Sequence, residues 1–205
     1  MDVLEAIKKR RSIRRYRPDP IPDDVLNQLL DAVRLAPSGC NLQPWTFVVV
    51  RDKDTRQLLA EACRYRNTLE GQVHVQRWVA EAPVIVVACG HERDAAGVLH
   101  QEGGPVITAG RTMVDEMGKD PTEYTSSMHW DLAIALEHLA LAAVGKGLGT
   151  CWVGGLDEDE VKRLLSIPDN VRVHLAMCVG YPASSWPGPR PRQLLDEIIC
   201  YGRYG

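Results

Sequence analysis

Seven cations fall within ten residues, Lys8-Lys9-Arg10-Arg11-Ser12-Ile13-Arg14-Arg15-Tyr16-Arg17, in a chain of 205 residues whose formal net charge is -3. Positive charge concentrated in one place within an acidic chain points to a localised anion as its target. Arg10, Arg11 and Arg14 offer forked guanidinium donors and Ser12 a hydroxyl, a set suited to phosphate. A solvated basic helix end has the same spacing, and spacing alone does not separate the two.

Two further segments have the composition of a site. Pro37-Ser38-Gly39-Cys40-Asn41-Leu42-Gln43-Pro44-Trp45 places small residues and the Asn41 amide just ahead of an apolar run. An amide offers a donor and an acceptor together, as the edge of a polar ring that carries both requires. Pro and Gly alone would also shape such a loop, and Leu42 and Trp45 read as core anchors. In Gly147-Leu148-Gly149-Thr150-Cys151-Trp152-Val153-Gly154-Gly155, residues without side chains let the backbone approach a flat ring and aim N–H groups at its heteroatoms. A plain helix-to-strand turn accounts for part of that run. It matches neither the phosphate loop nor the dinucleotide fingerprint.

Other chemistries find little support. The six cysteines are scattered without zinc-knuckle or redox-dithiol spacing, and they read as reduced thiols. His91, His100 and Glu102 fit no zinc pattern, and no metal is expected. His129 and His138 read as core or interface groups, and Cys151 as a small packed residue. No Ser-His or Cys-His constellation stands out, so no side-chain nucleophile is expected. The net charge argues against a general nucleic-acid binder.

The elements that must position these residues follow from periodicity. Val3, Leu4 and Ile7 suggest a short first helix running into the basic segment. Pro22-Asp23-Asp24 starts a second, whose buried stripe is Val25, Leu26, Leu29, Leu30 and Val33, and Pro37 stops it. Trp45 to Val50 reads as a buried strand, Thr55 to Cys63 as a helix, and Pro83 to Cys89 as a strand covered on both faces. From Gly90 to Ser127 periodicity dissolves, which predicts a surface excursion or lid. His129 to Val144 is apolar around the whole wheel, as in a helix buried on all sides, against a partner subunit or as a central core helix. Thr150 to Val153 and Val171 to Val179 read as strands, with a helix from Asp157 to Leu165 between them. The tail from 180 to 205 has no core pattern before Leu194.

The sum is an α+β fold with four or five strands and a helical majority, in one domain spanning 1–205. No apolar stretch is long enough to span a bilayer, and neither a signal nor a transit peptide is indicated. A soluble, cytoplasmic protein is the expectation.

Taken in order, R-R-S-I-R at 10 to 14, P-S-G-C-N-L-Q-P-W at 37 to 45, G-L-G-T-C-W-V-G-G at 147 to 155, and G-Y-P followed by P-R-P-R within 180 to 192 resemble the nitroreductase family of FMN enzymes. The resemblance spans the chain except for 90 to 127. It implies a central, mostly antiparallel sheet flanked by helices, and a homodimer with two FMN molecules at the interface, each contacted by both chains. By position in the motifs, Arg10 and Ser12 would hold the phosphate, joined by Arg190 and Arg192, and Arg11 would pair with phosphate or the ribityl chain. Arg14 would face the N1 and O2 edge of the ring. Ser38 and Asn41 would bond the ribityl and pyrimidine portions, and the N–H groups of Gly154 and Gly155 would reach O4 and N5. The implied activity is ping-pong hydride transfer from NADH or NADPH to an electron-poor acceptor such as a nitroaromatic or quinone. Dehalogenation, ene reduction, flavin fragmentation or FMN storage without turnover stay open as alternatives.

Overall fold

Along Val84–Cys89 successive side chains enter two different cores: Val84, Val86 and Ala88 one, Ile85, Val87 and Cys89 the other. A strand alternates its side chains between two faces, so this run must lie inside a sheet covered on both sides. The structure, a computed structural model, describes residues 1–41, 43–66, 71–91 and 121–204. Its helices are α1 (Val3–Lys9), α2 (Asp23–Arg34), α3 (Lys53–Ala62), α4 (Pro121–Gly145), α5 (Glu158–Leu165) and α6 (Leu195–Ile198). Its strands are β1 (Trp45–Val50), β2 (Arg64–Arg66), β3 (Val73–Val75), β4 (Val84–His91), β5 (Gly149–Val153) and β6 (Val171–Gly180).

The central sheet has four strands in the order β1-β4-β6-β5, every neighbouring pair antiparallel. β1 is thus an edge strand, half-buried where the sequence predicts a buried one. The α2 stripe of Leu26, Leu29 and Val33 is buried against one sheet face together with Leu132, Leu136, Leu139 and Ala143 of α4. Leu59 and Ala60 of α3, Val79 of a 3-10 turn and Val161 of α5 cover the other.

Helix ends obey local chemistry. In α1, Asp2 Oδ1 accepts from the Glu5 N–H at 2.8 Å while Glu5 Oε2 accepts from the Asp2 N–H at 3.2 Å, a reciprocal cap. α4 stops in a Schellman arrangement: Leu148 N–H donates to the Ala143 carbonyl at 2.9 Å and Gly147 N–H to that of Val144 at 3.0 Å. Gly147 takes the required left-handed φ of 71°.

Three expectations need correction. α4 begins at Pro121, eight residues before His129, and Trp130 and Ile134 are exposed, so the helix is not buried on all sides within one chain. Of the 90–127 excursion, Gly90 and His91 belong to β4 and 121–127 to α4; the remainder lies outside the described residues. The segment after α3 forms an antiparallel hairpin, β2 with β3, that periodicity did not show. No helix among the described residues is long and apolar enough to cross a membrane.

Candidate functional site

The basic run is held by backbone bonds on both sides. Arg10 ends α1, donating its N–H to the Ala6 carbonyl at 2.8 Å. The chain then lies along the outer edge of β5, where Ser12 bridges Thr150 and Ile13 N–H donates to the Thr150 carbonyl at 2.9 Å. Farther on, Arg17 N–H donates to the Tyr181 carbonyl at 2.9 Å and Ala183 N–H to that of Arg15 at 3.0 Å. Ile13 and Tyr16 enter the core, and the Tyr16 hydroxyl donates to the Ile13 carbonyl. Two glycines make this docking possible. A Cβ on Gly149 would lie 2.4 Å from Ile13 Cγ1, and one on Gly180 would lie 2.5 Å from Pro83 Cδ and 2.8 Å from Tyr16 Cδ1. With two apolar anchors sunk, Ser12, Arg14, Arg15 and Arg17 remain exposed.

Arg10, Ser12 and Arg14 all influence the thiol of Cys151, the neighbour of Thr150 on β5. Burial pushes this thiol up, while Arg14, the Ser12 side chain and Arg10 pull it back. Against the Arg10 guanidinium stands Glu137 on α4, its Oε1 3.7 Å from Arg10 Nε. Burial raises the Glu137 carboxyl, with Arg10 and His138 opposing. The Arg14 guanidinium also sits over the Trp78 ring, 5.6 Å from its centroid. Arg11 is largely engaged: Nη1 donates to the Lys8 and Arg10 carbonyls at 2.8 and 2.7 Å, and Nε to that of Gly188 at 2.9 Å. This last bond and the Trp186 indole, which donates to the Lys9 carbonyl, fold the tail against the basic run. Arg190 and Arg192 follow directly and are exposed; Arg192 Nη1 donates to the Pro191 carbonyl at 3.1 Å.

The second segment is a strained loop organised by Ser38. Its Oγ accepts from the Gln43 N–H at 2.9 Å and its carbonyl from the Asn41 N–H at 3.0 Å. Asn41 and Gln43 sit at φ of 55° and 46°, a left-handed region that Asn tolerates better than most residues. The Asn41 side chain is exposed. Gly39 N–H donates to Asp131 Oδ1 at 3.2 Å, which ties the loop to α4. Burial raises the Asp131 carboxyl, and the Gly39 N–H opposes that shift. Asp131 and Glu137 are six residues apart on α4, about 9 Å of rise, so one helix carries the partners of both the loop and Arg10.

In the third segment the β5 ladder ends at Val153 opposite Ala176, and Gly154 and Gly155 lie just past it. The two differ. A Cβ on Gly155 would lie 2.8 Å from Tyr65 Cβ, whereas one on Gly154 would meet nothing within 4 Å among the described residues. The Gly155 carbonyl accepts from Gln76 Nε2 at 2.9 Å. Arg64 Nη2 holds Asp157 Oδ2 at 2.7 Å and Glu160 Oε2 at 2.9 Å, so the hairpin grips the chain just beyond. Thr150 Oγ1, in a residue 2% exposed, has no hydrogen-bond partner among the described residues.

The structure therefore seats the Arg10–Arg14 run on the edge of β5 through Ser12 and Ile13 and ties Arg11 to the tail. No hydrogen bond or ion pair among the described residues joins Asn41, Arg190 or Arg192 to that run within one chain. Asp131, Glu137, Trp78 and Gln76 were not flagged by sequence. An acid inside an apolar helix was a visible signal for the first two; nothing marked the others. His138 Nδ1 lies 3.2 Å from the Ala32 carbonyl, a satisfied half-buried group. His129 instead is exposed, its Nε2 2.8 Å from Nδ1 of His174. His174 is the extra residue of a β-bulge, between Val173 paired with Cys89 and Leu175 paired with Ala88.

Comparison with known proteins follows the same geometry. The model of the nitroreductase family matches residues 7–181. The chain is 35% identical to a NADH dehydrogenase of Thermus thermophilus, covering 98% of this chain and 96% of the relative. It is 29% identical to iodotyrosine deiodinase 1 of Rattus norvegicus, over 97% of this chain and 68% of that one. Among solved structures, the NADPH:FMN oxidoreductase of Vibrio harveyi complexed with NAD+ superposes with a TM-score of 0.74 at 27% identity, covering 99% of this chain and 78% of the other.

Proposed function

The chain belongs to the nitroreductase family, and from that premise we propose that it is an FMN-dependent oxidoreductase, working as a single-domain homodimer, that passes hydride from NADH or NADPH to an electron-poor organic acceptor. The observation that carries the reading is the seating of the Arg10–Arg14 run on β5 at Thr150, the strand that leads into Gly154, where no described residue stands in the place of a Cβ. Gly154 has no positive φ and, among the described residues, no neighbour where its Cβ would stand, so the packing of those residues does not require glycine there. A flat ring lying against that backbone supplies the requirement, and the cation cluster suits its phosphate end. The residues fit FMN.

In this reading Arg10 and Ser12 hold the phosphate together with Arg190 and Arg192, and the remaining Nη2 of Arg11 faces phosphate or ribityl. Arg14 puts a fixed cation at the ring edge. Ser38 shapes the loop that presents Asn41. The N–H groups of Gly154 and Gly155 face the ring. Bound FMN supplies hydride acceptance and donation at N5, and the protein supplies position and charge. Donor and acceptor use the same ring face in turn.

Two features support the dimer. Val3 is 68% exposed and Leu4 66%, and the tail leaves Leu194, Leu195 and Ile198 uncovered, apolar surface that a second copy would bury. Asn41 also lacks a bond to the basic run within one chain, as expected if it serves the site of the other subunit. Initial rates with NADH or NADPH against a quinone and a nitroaromatic test the reading, and parallel double-reciprocal lines are expected. Intersecting lines would refute the alternating mechanism, and failure to oxidise either nicotinamide with any acceptor would refute the enzyme. The deiodinase relative favours one second reading, reductive dehalogenation of a halophenol, which the same assay reports with such an acceptor.

A further inference from the structure

We propose that Gln76 is a positioning residue for the flavin site, fixing the backbone that presents the N–H groups of Gly154 and Gly155; this rests on the FMN reading above. Past Val153 these two glycines have neither a strand partner nor side chains to anchor them, and glycine backbone samples widely unless tied. Gln76 supplies the tie. Its Nε2 donates to the Gly155 carbonyl at 2.9 Å, and its own N–H donates to the Cys63 carbonyl at 2.8 Å, so the donor is anchored on the far side. A peptide is planar, so holding the Gly155 carbonyl fixes the plane it shares with the Leu156 N–H, and through the Gly155 Cα it restrains the preceding plane, which carries the Gly155 N–H. Two residues on, Asp157 N–H donates to the Ala62 carbonyl at 2.8 Å and Arg64 grips the Asp157 carboxylate. Among the described residues the loop is thus held by Ala62, Arg64 and Gln76, and none of them stands within 4 Å of where a Cβ on Gly154 would lie. Gln76 does not touch the ring in this account; it acts through the glycine backbone.

The test compares wild type, Gln76→Leu and Gln76→Glu by titrating each apoprotein with FMN and by thermal unfolding of the apoproteins. Leucine keeps the volume and loses the donor, and FMN binding should weaken about three- to tenfold, the worth of one hydrogen bond, with the apoprotein midpoint unchanged. Glutamate cannot donate to a carbonyl while ionised, so its affinity relative to wild type at the same pH should be low at pH 7.5. It should recover towards pH 4.5 as the carboxyl gains a proton to donate. Wild-type affinity in Gln76→Leu would overturn the positioning role and leave the FMN reading standing. A parallel loss of affinity and apoprotein stability, without recovery of Gln76→Glu at low pH, would also overturn it, because Gln76 would then be structural only. Wild type that binds no FMN would overturn both.

Discussion

Gly149 and Gly154 stand at the two ends of β5, five residues apart, and they lack side chains for opposite reasons. At Gly149 the protein itself fills the space: Ile13 would be 2.4 Å from an added Cβ, and through Ile13 the whole run from Arg10 to Arg14 is seated on the sheet. At Gly154 no described residue within 4 Å demands the absence. Packing explains the choice at Gly149, which belongs to the fold; at Gly154, in the proposed site, bound FMN would explain it. The same contrast separates Glu158, engaged by Arg172, Val173 and Lys162, from Arg192, exposed and, among the described residues, bonded to its neighbouring carbonyl alone.

Gly149→Ala should have the largest effect, because the displaced Ile13 seats the cations. Overpacking of this kind costs about 1–3 kcal/mol, and both denaturant stability and FMN affinity should fall. Unchanged values for both would erase the inward side of the comparison. Arg192→Ala should leave apoprotein stability alone and weaken FMN binding by about 1.5–3 kcal/mol, the worth of a charge-assisted contact. Unaltered flavin retention would remove Arg192 from the site. Gly154→Val should stay within about 0.5 kcal/mol of wild type in apoprotein stability. Its FMN titration should nonetheless weaken by about tenfold, since loss of one or two N–H contacts has that size. A stability loss with intact affinity would place Gly154 with Gly149.

Glu158→Gln should have the smallest effect on FMN affinity, which stays at the wild-type value, and its effect on stability is pH-dependent. Burial pushes this carboxyl up, but the Arg172 fork at 2.9 and 3.0 Å, the Val173 N–H at 3.0 Å and Lys162 at 3.2 Å together hold it down to about 2. A depressed carboxyl contributes stability above its unfolded value near 4.5 that is lost as pH falls through the folded value. The variant should therefore be less stable than wild type at neutral pH, with the gap closing between about pH 4.5 and 2. A gap independent of pH would show that the ionised contacts are not its source.

What the sequence revealed and withheld divides along similar lines. α2, β1, β4 and β6 were legible because a buried face imposes a period on the residues themselves. The hairpin was not, since Arg64-Tyr65-Arg66 and Val73-His74-Val75 are too short to carry one. The first turns of α4, Pro121-Thr122-Glu123-Tyr124-Thr125-Ser126-Ser127, carry no apolar stripe; the signal available was proline at the first helical position. In the site, charge density exposed Arg10 to Arg14, and glycine density the 147–155 run. Asp131, Glu137 and Gln76 act through partners 92, 127 and 79 residues away, a relation only the fold creates.

The most direct test of the central claim is anaerobic spectrophotometry of the FMN-reconstituted protein. The account predicts that FMN stays bound through gel filtration and that NADH or NADPH bleaches its visible band, with colour returning on addition of a quinone. Protein that emerges colourless, or bound flavin that keeps its oxidised spectrum with both nicotinamides, would contradict it.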